Sequence, residues 1–204
     1  MNVKQFAMPR RQGGALLIEI LVTIIIVVIG AMGLMQMQAR LQKSEVESYQ
    51  RTQAMILLSD MASRISANRG DAANYVTTGL DPAFLGGLSA ELDCSTLNTG
   101  TPTLQENDFA QWCDALQGAA ETQSGSSVGA MIGGRGCVQP NGADEYLVTV
   151  AWQGMTPVDA PDNIANPVTI TCGEDLYDHG PPECVDNLCR RYVTTLVSLA
   201  RLDT

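Results

Sequence analysis

Histidine, a frequent metal ligand and catalytic base, is scarce in this 204-residue sequence. It has one histidine, His179, and no two of its six cysteines are separated by two residues. Structural zinc sites draw on paired Cys and His ligands at short spacings, so no zinc site is expected. No serine or cysteine stands at a catalytic spacing from His179. The glycine-rich segment 133–136 lacks the strand, helix and Lys-Ser/Thr of a phosphate loop. We predict no enzyme activity, cofactor or metal.

Basic side chains are also few, with 12 Lys and Arg against 22 Asp and Glu and a formal net charge of −10. Three of them, Lys4, Arg10 and Arg11, fall in the first fourteen positions, where no acidic residue occurs. Nucleic-acid binding needs clustered Lys and Arg that neutralise phosphates, so that class of partner is excluded. Without EF-hand spacing, a solvated loop is favoured over a calcium site for the acidic cluster Asp175, Asp178, Glu183 and Asp186.

The longest apolar run covers residues 15–34 and contains one carboxylate, Glu19. As a helix it would span about 30 Å, the thickness of a bilayer's hydrocarbon core. An ordinary secretory signal peptide and an uncleaved signal anchor both fit the basic start and the apolar run. Neither explains Glu19, because an acidic residue in the middle of a membrane helix costs roughly 2.5–3.5 kcal/mol.

A third interpretation accounts for the glycine pair Gly13-Gly14, which separates the basic leader from the apolar run. Cleavage after Gly14 would free the α-amino group of Ala15, four residues before Glu19. An ionisable residue inside a membrane usually marks a function and has a partner. Here the partner would be the ammonium group of Ala15 on an adjacent copy, and Glu19 would favour assembly of the two subunits. Snorkelling of Glu19 to the membrane interface is the alternative.

From residue 35 to residue 68 the chain has no proline or glycine and is rich in strong helix formers. Apolar residues at helical spacing predict one buried face, formed by Ala54, Leu57, Leu58, Met61, Ala62 and Ile65. We expect one helix from Ala15 to Arg69, ended by Gly70 as a C′ cap. Its second half needs a globular partner; a coiled coil is less favoured because the heptad pattern fails at residues 43–48.

The remaining residues predict an α+β head with an antiparallel sheet packed on the helix. A short helix is expected near residues 106–116, with Phe109, Trp112, Cys113 and Leu116 on one face. Strand signals follow at 145–153, 167–172 and 191–199. The predicted organisation is a leader (1–14), a transmembrane half-helix (15–34), an amphipathic half-helix (35–69) and a head (70–204).

All six cysteines lie in this head, at positions 94, 113, 137, 172, 184 and 189. An even number beyond a membrane segment indicates disulfides in an oxidising compartment. An antiparallel pair of strands 145–153 and 167–172 would bring Cys172 near Cys137. Cys94 with Cys113 and Cys184 with Cys189 would close local loops. Fifteen pairings are possible, and the sequence leaves them open.

The segment from Arg10 to Val22, with Gly14, Ala15 and Glu19 at its key positions, resembles the class III signal of type IV pilins and type II secretion pseudopilins. The resemblance implies a pilin-like fold, cleavage after Gly14 and N-methylation of Ala15 by prepilin peptidase, and subunit docking guided by Glu19. Alanine at position 15, where phenylalanine is commonest, argues against a major pilin. Further along the chain, segments of the amphipathic half-helix (51–54 and 60–69) and of the head (Tyr75, 135–137, 148–154 and 190–193) resemble PilV-type minor pilins. The Cys184/Cys189 pair and the long loops depart from that pattern.

The resemblance implies a minor pilin in the inner membrane of a Gram-negative bacterium, with its N-terminus cytoplasmic and its head periplasmic. It would later enter the pilus fibre and act in pilus assembly, twitching motility and adhesion. Expected partners are other minor pilins, the major pilin, prepilin peptidase, the inner-membrane assembly platform and the lipid bilayer. The alternatives are a minor pseudopilin of a type II secretion system and a membrane-anchored surface-binding module.

Overall fold

The computed structural model describes residues 15–88, 90–119, 122–123, 126–127, 129, 131–158, 170–178 and 183–200. Within these ranges there are two α-helices, α1 (Ala15–Ala67) and α2 (Leu104–Leu116). Two 3-10 helices follow α1 and precede α2, at Arg69–Tyr75 and Cys94–Asn98. The strands are β1 (Leu85–Gly86), β2 (Thr122–Gln123), β3 (Ser126–Ser127), β4 (Arg135–Gly142), β5 (Glu145–Gln153) and β6 (Arg190–Ser198). The chain divides into two compact units, Met1–Glu45 and Val46–Thr204.

The second unit is built on a four-stranded antiparallel sheet with the strand order β1-β4-β5-β6. The central strand β5 is buried from Tyr146 to Trp152 because both of its faces are covered. Side chains such as Val148 and Val150 join the main core, while Ala151 faces a smaller cluster on the other side of the sheet. A separate two-stranded ribbon is formed by β2 and β3. The predicted strand 145–153 is confirmed.

The main core lies between this sheet, α2 and the part of α1 that belongs to the second unit. The predicted apolar face of α1 is confirmed, with its residues buried or packed against the core. The predicted short helix is also confirmed, as α2, and its face Phe109, Trp112, Cys113 and Leu116 is buried. A capping box between Thr103 and Glu106 starts α2. The indole Nε1 of Trp112 donates to the carbonyl oxygen of Leu57 at 2.9 Å, which joins α2 to α1.

Two sequence predictions need correction. Helix α1 ends at Ala67, and the chain then tightens into a 3-10 helix. Gly70 therefore does not act as a left-handed cap. The strand expected at 167–172 is absent from its described part, residues 170–172, and residues 167–169 lie outside the described ranges. Both edges of β5 are already paired, with β4 and β6, so no edge remains for a strand from that segment.

Candidate functional site

In the first unit, α1 carries apolar side chains on every side. All of the large ones from Leu17 to Met37 are exposed. A surface helix of a soluble domain keeps a polar face, so a helix that is apolar all round requires an apolar environment. By length and composition α1 is able to cross a membrane, and its most apolar window has a mean hydropathy of 2.8.

Glu19 is the one charged residue in the sequence between positions 15 and 39, and its side chain is exposed. Helix α1 begins at Ala15, so Ala15 and Glu19 stand at i and i+4 on the same face. One turn beyond Glu19, the hydroxyl of Thr23 donates to the carbonyl oxygen of Ile20 at 2.8 Å. The hydroxyl donor of Thr23 is therefore paired within the helix. The carboxylate of Glu19 is an acceptor, and it is stabilised by a cation or a hydrogen-bond donor. Gly14 lies outside the described residues.

Three disulfides link the head, joining Cys94 to Cys113, Cys137 to Cys172 and Cys184 to Cys189. These are the pairs favoured from the sequence, although the strand pairing offered as the reason for the second is wrong. Cys172 instead reaches Cys137 through a loop that packs on the outer face of the sheet, beside Ala151 and Tyr177. Small heads with extensive loops gain stability from such links, typically about 2–4 kcal/mol each.

A buried arginine, Arg135 at the start of β4, organises the loops around this cluster. Its guanidinium lies 5.0 Å from the ring centroid of Phe84 and 4.8 Å from that of Tyr177. It donates to both carboxylate oxygens of Glu91, at 2.7 and 2.8 Å, and to the carbonyl oxygen of Gly133. The ion pair and the two rings together compensate for the burial of the charge. From the sequence, Arg135 was singled out only as part of the segment 135–137, and its burial was not predicted.

Arg190, at the start of β6, has a similar anchoring role. Its Nε donates to the carbonyl oxygen of Cys172 at 3.0 Å and its Nη2 to that of Ile170 at 2.6 Å. Burial lowers the pKa of the Arg190 guanidinium. These hydrogen bonds attach the loop that carries Cys172 to the last strand, so both arginines act as structural ties.

A third polar group joins α1 to α2 around the buried Asp108. Its carboxylate accepts a hydrogen bond from the hydroxyl of Tyr75 and an ion pair from Arg64 at 2.6 Å. Arg64 also pairs with Asp60, one turn earlier on α1, at 2.8 Å. Although burial opposes it, hydrogen bonding to Asp60 and Asp108 leaves the pKa of the Arg64 guanidinium raised. This side of α1 is therefore partly covered by α2.

Stability is expected to fall as the pH rises from about 10 to about 12, because two tyrosines in the head must ionise. Burial raises the pKa of Tyr75 to about 12, with the hydrogen bond to Asp108 adding to the shift. Burial likewise raises the pKa of Tyr177 to about 12. The folded state favours the neutral form of both phenols. Their contribution to the free energy of unfolding is therefore complete below the ordinary tyrosine pKa near 10 and is lost by about pH 12.

Thermal unfolding followed by circular dichroism at a series of pH values tests this, with tyrosinate absorbance recorded in parallel. The Tyr75→Phe and Tyr177→Phe variants should each show a shallower alkaline decline. A midpoint temperature that stays constant from pH 10 to pH 12 would contradict the prediction.

A cleft of about 400 Å³ opens between the loops at 83–84 and 171–176, above the Cys137–Cys172 disulfide. Among the described residues that line it, Glu174 is the one ionisable side chain. A nucleophile with a neighbouring base is not found along this described lining. In the acidic loop, Asn187 bridges Asp175 and Asp178 through hydrogen bonds of 2.8–2.9 Å. The described residues contain no cluster of three or more His, Cys, Asp or Glu arranged to hold a metal. His179 lies outside the described ranges.

Comparison of the chain with known family models, with characterised proteins and with solved structures finds no match. Fold and sequence therefore define only a broad class of protein. The chain has a long N-terminal helix able to cross a membrane, followed by an α+β head with a small antiparallel sheet and three disulfides.

Proposed function

We propose that the chain is a minor subunit of a type IV pilus, of the PilV-like kind, which takes part in initiating or building the fibre. The observation that carries the proposal is the start of α1. A helix that is apolar on all sides begins at Ala15 and has a lone carboxylate one turn later, at Glu19. A simple membrane tether gains nothing from that carboxylate, which raises the cost of insertion.

The chemistry of the helix start supports a paired assembly. If Ala15 is the mature N-terminus, its ammonium group lies at the positive end of the helix dipole, where a cation is disfavoured. A carboxylate nearby relieves that repulsion. Glu19 of the same chain stands one turn away, and Glu19 of a neighbouring subunit provides a second partner when the helices pack side by side. In the proposed fibre, each new subunit is held in register by this pair.

The head supports a structural role more than a catalytic one. In the second unit, the guanidinium groups of Arg64, Arg135 and Arg190 are committed to internal partners, and the cysteines are paired. In the proposal, the head faces the periplasm before assembly and contacts other minor pilins and the major pilin afterwards. The N-terminal leader stays in the cytoplasm, where its basic residues satisfy the positive-inside rule.

Mass spectrometry of the protein purified from membranes is expected to find an N-terminal Ala15 that carries one methyl group. The Gly14→Val variant should retain the leader, because the proposed peptidase requires glycine at that position, whereas the matched Gly13→Ala variant should be processed normally. A mature protein that starts at Met1 would identify a plain signal anchor. A start near the end of the apolar run, where a secretory signal peptide would be cleaved, would identify that class of segment, and either result would overturn the proposal.

A further inference from the structure

The cleft above the Cys137–Cys172 disulfide, which we call the Gln139 cleft, contains an unsatisfied polar group. Gln139 on β4 lines the cleft and is 8% exposed. Its Nε2 donates to the Oγ1 of Thr171 at 3.2 Å, whereas its Oε1 is buried and has no hydrogen-bond partner among the described residues. A buried acceptor that has lost water and gained no donor destabilises the fold. A ligand that carries a donor into the cleft would remove that penalty.

The walls of the Gln139 cleft combine apolar surface with one charge. Phe84, Leu176 and the disulfide supply the apolar part. Glu174 supplies an exposed carboxylate, and no cationic side chain is found among the described residues that line the cleft. Its volume of about 400 Å³ is within the range of pockets that hold small ligands or single side chains. The lining therefore suits a ligand with an apolar body and a cationic donor.

The loop on one side of the cleft gives it a negative surrounding. Asp175 and Asp178 follow Glu174, and among the described side chains none of these three carboxylates forms an ion pair. Arg190 interacts electrostatically with Glu174 and Asp175, but its hydrogen bonds go to two backbone carbonyl oxygens. Three carboxylates against one arginine leave this side of the cleft negative, so it attracts a cation.

We propose that the Gln139 cleft binds the side chain of a lysine on a partner protein. A lysine ammonium group has three donors and no acceptor, and the Oε1 of Gln139 and the carboxylate of Glu174 accept two of them. The amide of a glutamine turns about a soft terminal torsion, so Oε1 can tilt toward the ammonium group. The aliphatic stem lies along Phe84, Leu176 and the disulfide, as lysine stems do on apolar surface.

Other side chains fit the cleft less well. The planar guanidinium of an arginine is suited to two parallel hydrogen bonds with one carboxylate, whereas the acceptors here are an amide and a carboxylate from separate segments. An apolar side chain would leave the Oε1 of Gln139 unpaired. The inference concerns the second unit alone and goes beyond the proposed function, because it requires neither processing of the N-terminus nor assembly of a fibre.

Titration of the full chain in detergent with Nα-acetyl-lysine N-methylamide, followed by NMR of the backbone amides, tests the proposal. The amides of Thr171, Gly173 and Glu174 should shift and reach saturation. The matched norleucine derivative lacks the ammonium group and should bind about tenfold more weakly or worse, because hydrogen bonds to charged groups are the stronger ones. Pentylamine has the ammonium group and the stem but no peptide groups, and it should bind no more tightly than the lysine derivative.

Two variants test the named acceptors. Gln139→Met keeps a side chain of similar length without the amide and should weaken binding of the lysine derivative by about tenfold. Glu174→Gln should weaken it by about two- to fivefold, since an exposed carboxylate contributes less. Asp114→Asn is the matched control for the loss of one charge, because Asp114 is exposed on α2, which packs on the opposite face of the sheet. It should leave the affinity unchanged.

Equal binding of the lysine and norleucine derivatives, or shifts that never saturate, would overturn the proposal. Tighter binding of pentylamine would assign the cleft to a free amine and reject the partner protein. A loss of affinity in Asp114→Asn as large as in Glu174→Gln would mean that net charge alone attracts the ligand, which also contradicts a specific site. The ligand comparison uses the unmodified chain, so it decides the question even where a variant fails to fold.

Discussion

Replacing Glu19 by alanine should reduce incorporation of the subunit into pilus fibres by about 100-fold or more while leaving membrane insertion intact. Loss of one partner from a buried ion pair costs roughly 3–5 kcal/mol, because the remaining charge is left uncompensated. Each 1.4 kcal/mol is a factor of ten in an equilibrium, so this range corresponds to at least two orders of magnitude. Insertion should be unaffected or slightly improved, since removing a carboxylate makes α1 more apolar.

The measurement uses a deletion strain complemented with the unmodified or variant gene. The protein is quantified by immunoblotting in sheared fibres and in the inner membrane, and twitching motility is scored in parallel. Thr23→Val is the matched control, one turn further along α1, because the Thr23 hydroxyl donates to the Ile20 carbonyl oxygen within the same helix. It should be incorporated normally, and Glu19→Asp should retain part of the incorporation because it keeps the charge.

Unchanged incorporation of the Glu19→Ala variant would show that the carboxylate only reaches the membrane interface and does not direct docking. The same deletion strain also separates the two proposed machines. Loss of twitching motility with normal exoprotein secretion supports the pilus, whereas the reverse result supports a pseudopilin of a secretion system.

Elements whose signal is local could be predicted from the sequence. The alternation around Val148 and Val150 locates β5, and the apolar spacing from Ala54 to Ile65 locates the buried face of α1. Helix α2 has both a start signal at Thr103 and a regular apolar face. In each case the side chains that make the pattern are those that the fold buries.

Elements that depend on distant contacts could not be predicted. Strand β4 carries Gly136, Pro140 and Gly142, which are poor strand formers, and a register shift interrupts its end. Its position is determined by pairing with β5. The Val-Thr-Ile-Thr segment at 168–171 has good strand propensity. It cannot pair with β5, however, because both edges of β5 are already hydrogen-bonded to β4 and β6. The burial of Arg135 was equally hidden, because Glu91, Phe84 and Tyr177 come from separate loops.

Part of the candidate site was visible in the sequence and part was not. The position of Glu19 within the apolar run needs no structure to be noticed. Its proposed partner, the N-terminus of another subunit, depends on processing and on assembly, and neither is encoded in the contacts of a single chain. The test of that pair must therefore be made on fibres.

The second large effect is expected in the head, where Gly136→Ala should destabilise the second unit by about 3 kcal/mol, at the upper end of the usual cost of overpacking. A Cβ at position 136 would overlap ring carbon Cη2 of Trp112, lie 2.5 Å from Cζ3 of the same ring, and lie 2.8 Å from Cδ1 of Leu116. Trp112 is fully buried, and its indole is held by the hydrogen bond to Leu57. The next residue, Cys113, is fixed by its disulfide to Cys94. The ring therefore has little freedom to move aside.

Thermal unfolding of the full chain in detergent, followed by circular dichroism, measures this effect. A loss of 3 kcal/mol in a unit of this size corresponds to a midpoint lower by roughly 6–12 °C. Gly79→Ala is the matched control, because a Cβ there meets no atom within 4 Å, and it should leave the midpoint unchanged. Trp112→Leu in the Gly136→Ala background removes the clashing ring, so the added methyl should cost much less there than beside tryptophan. Equal midpoints for Gly136→Ala and Gly79→Ala would mean that β4 does not lie against Trp112, and the packing of α2 on the sheet would have to be redrawn.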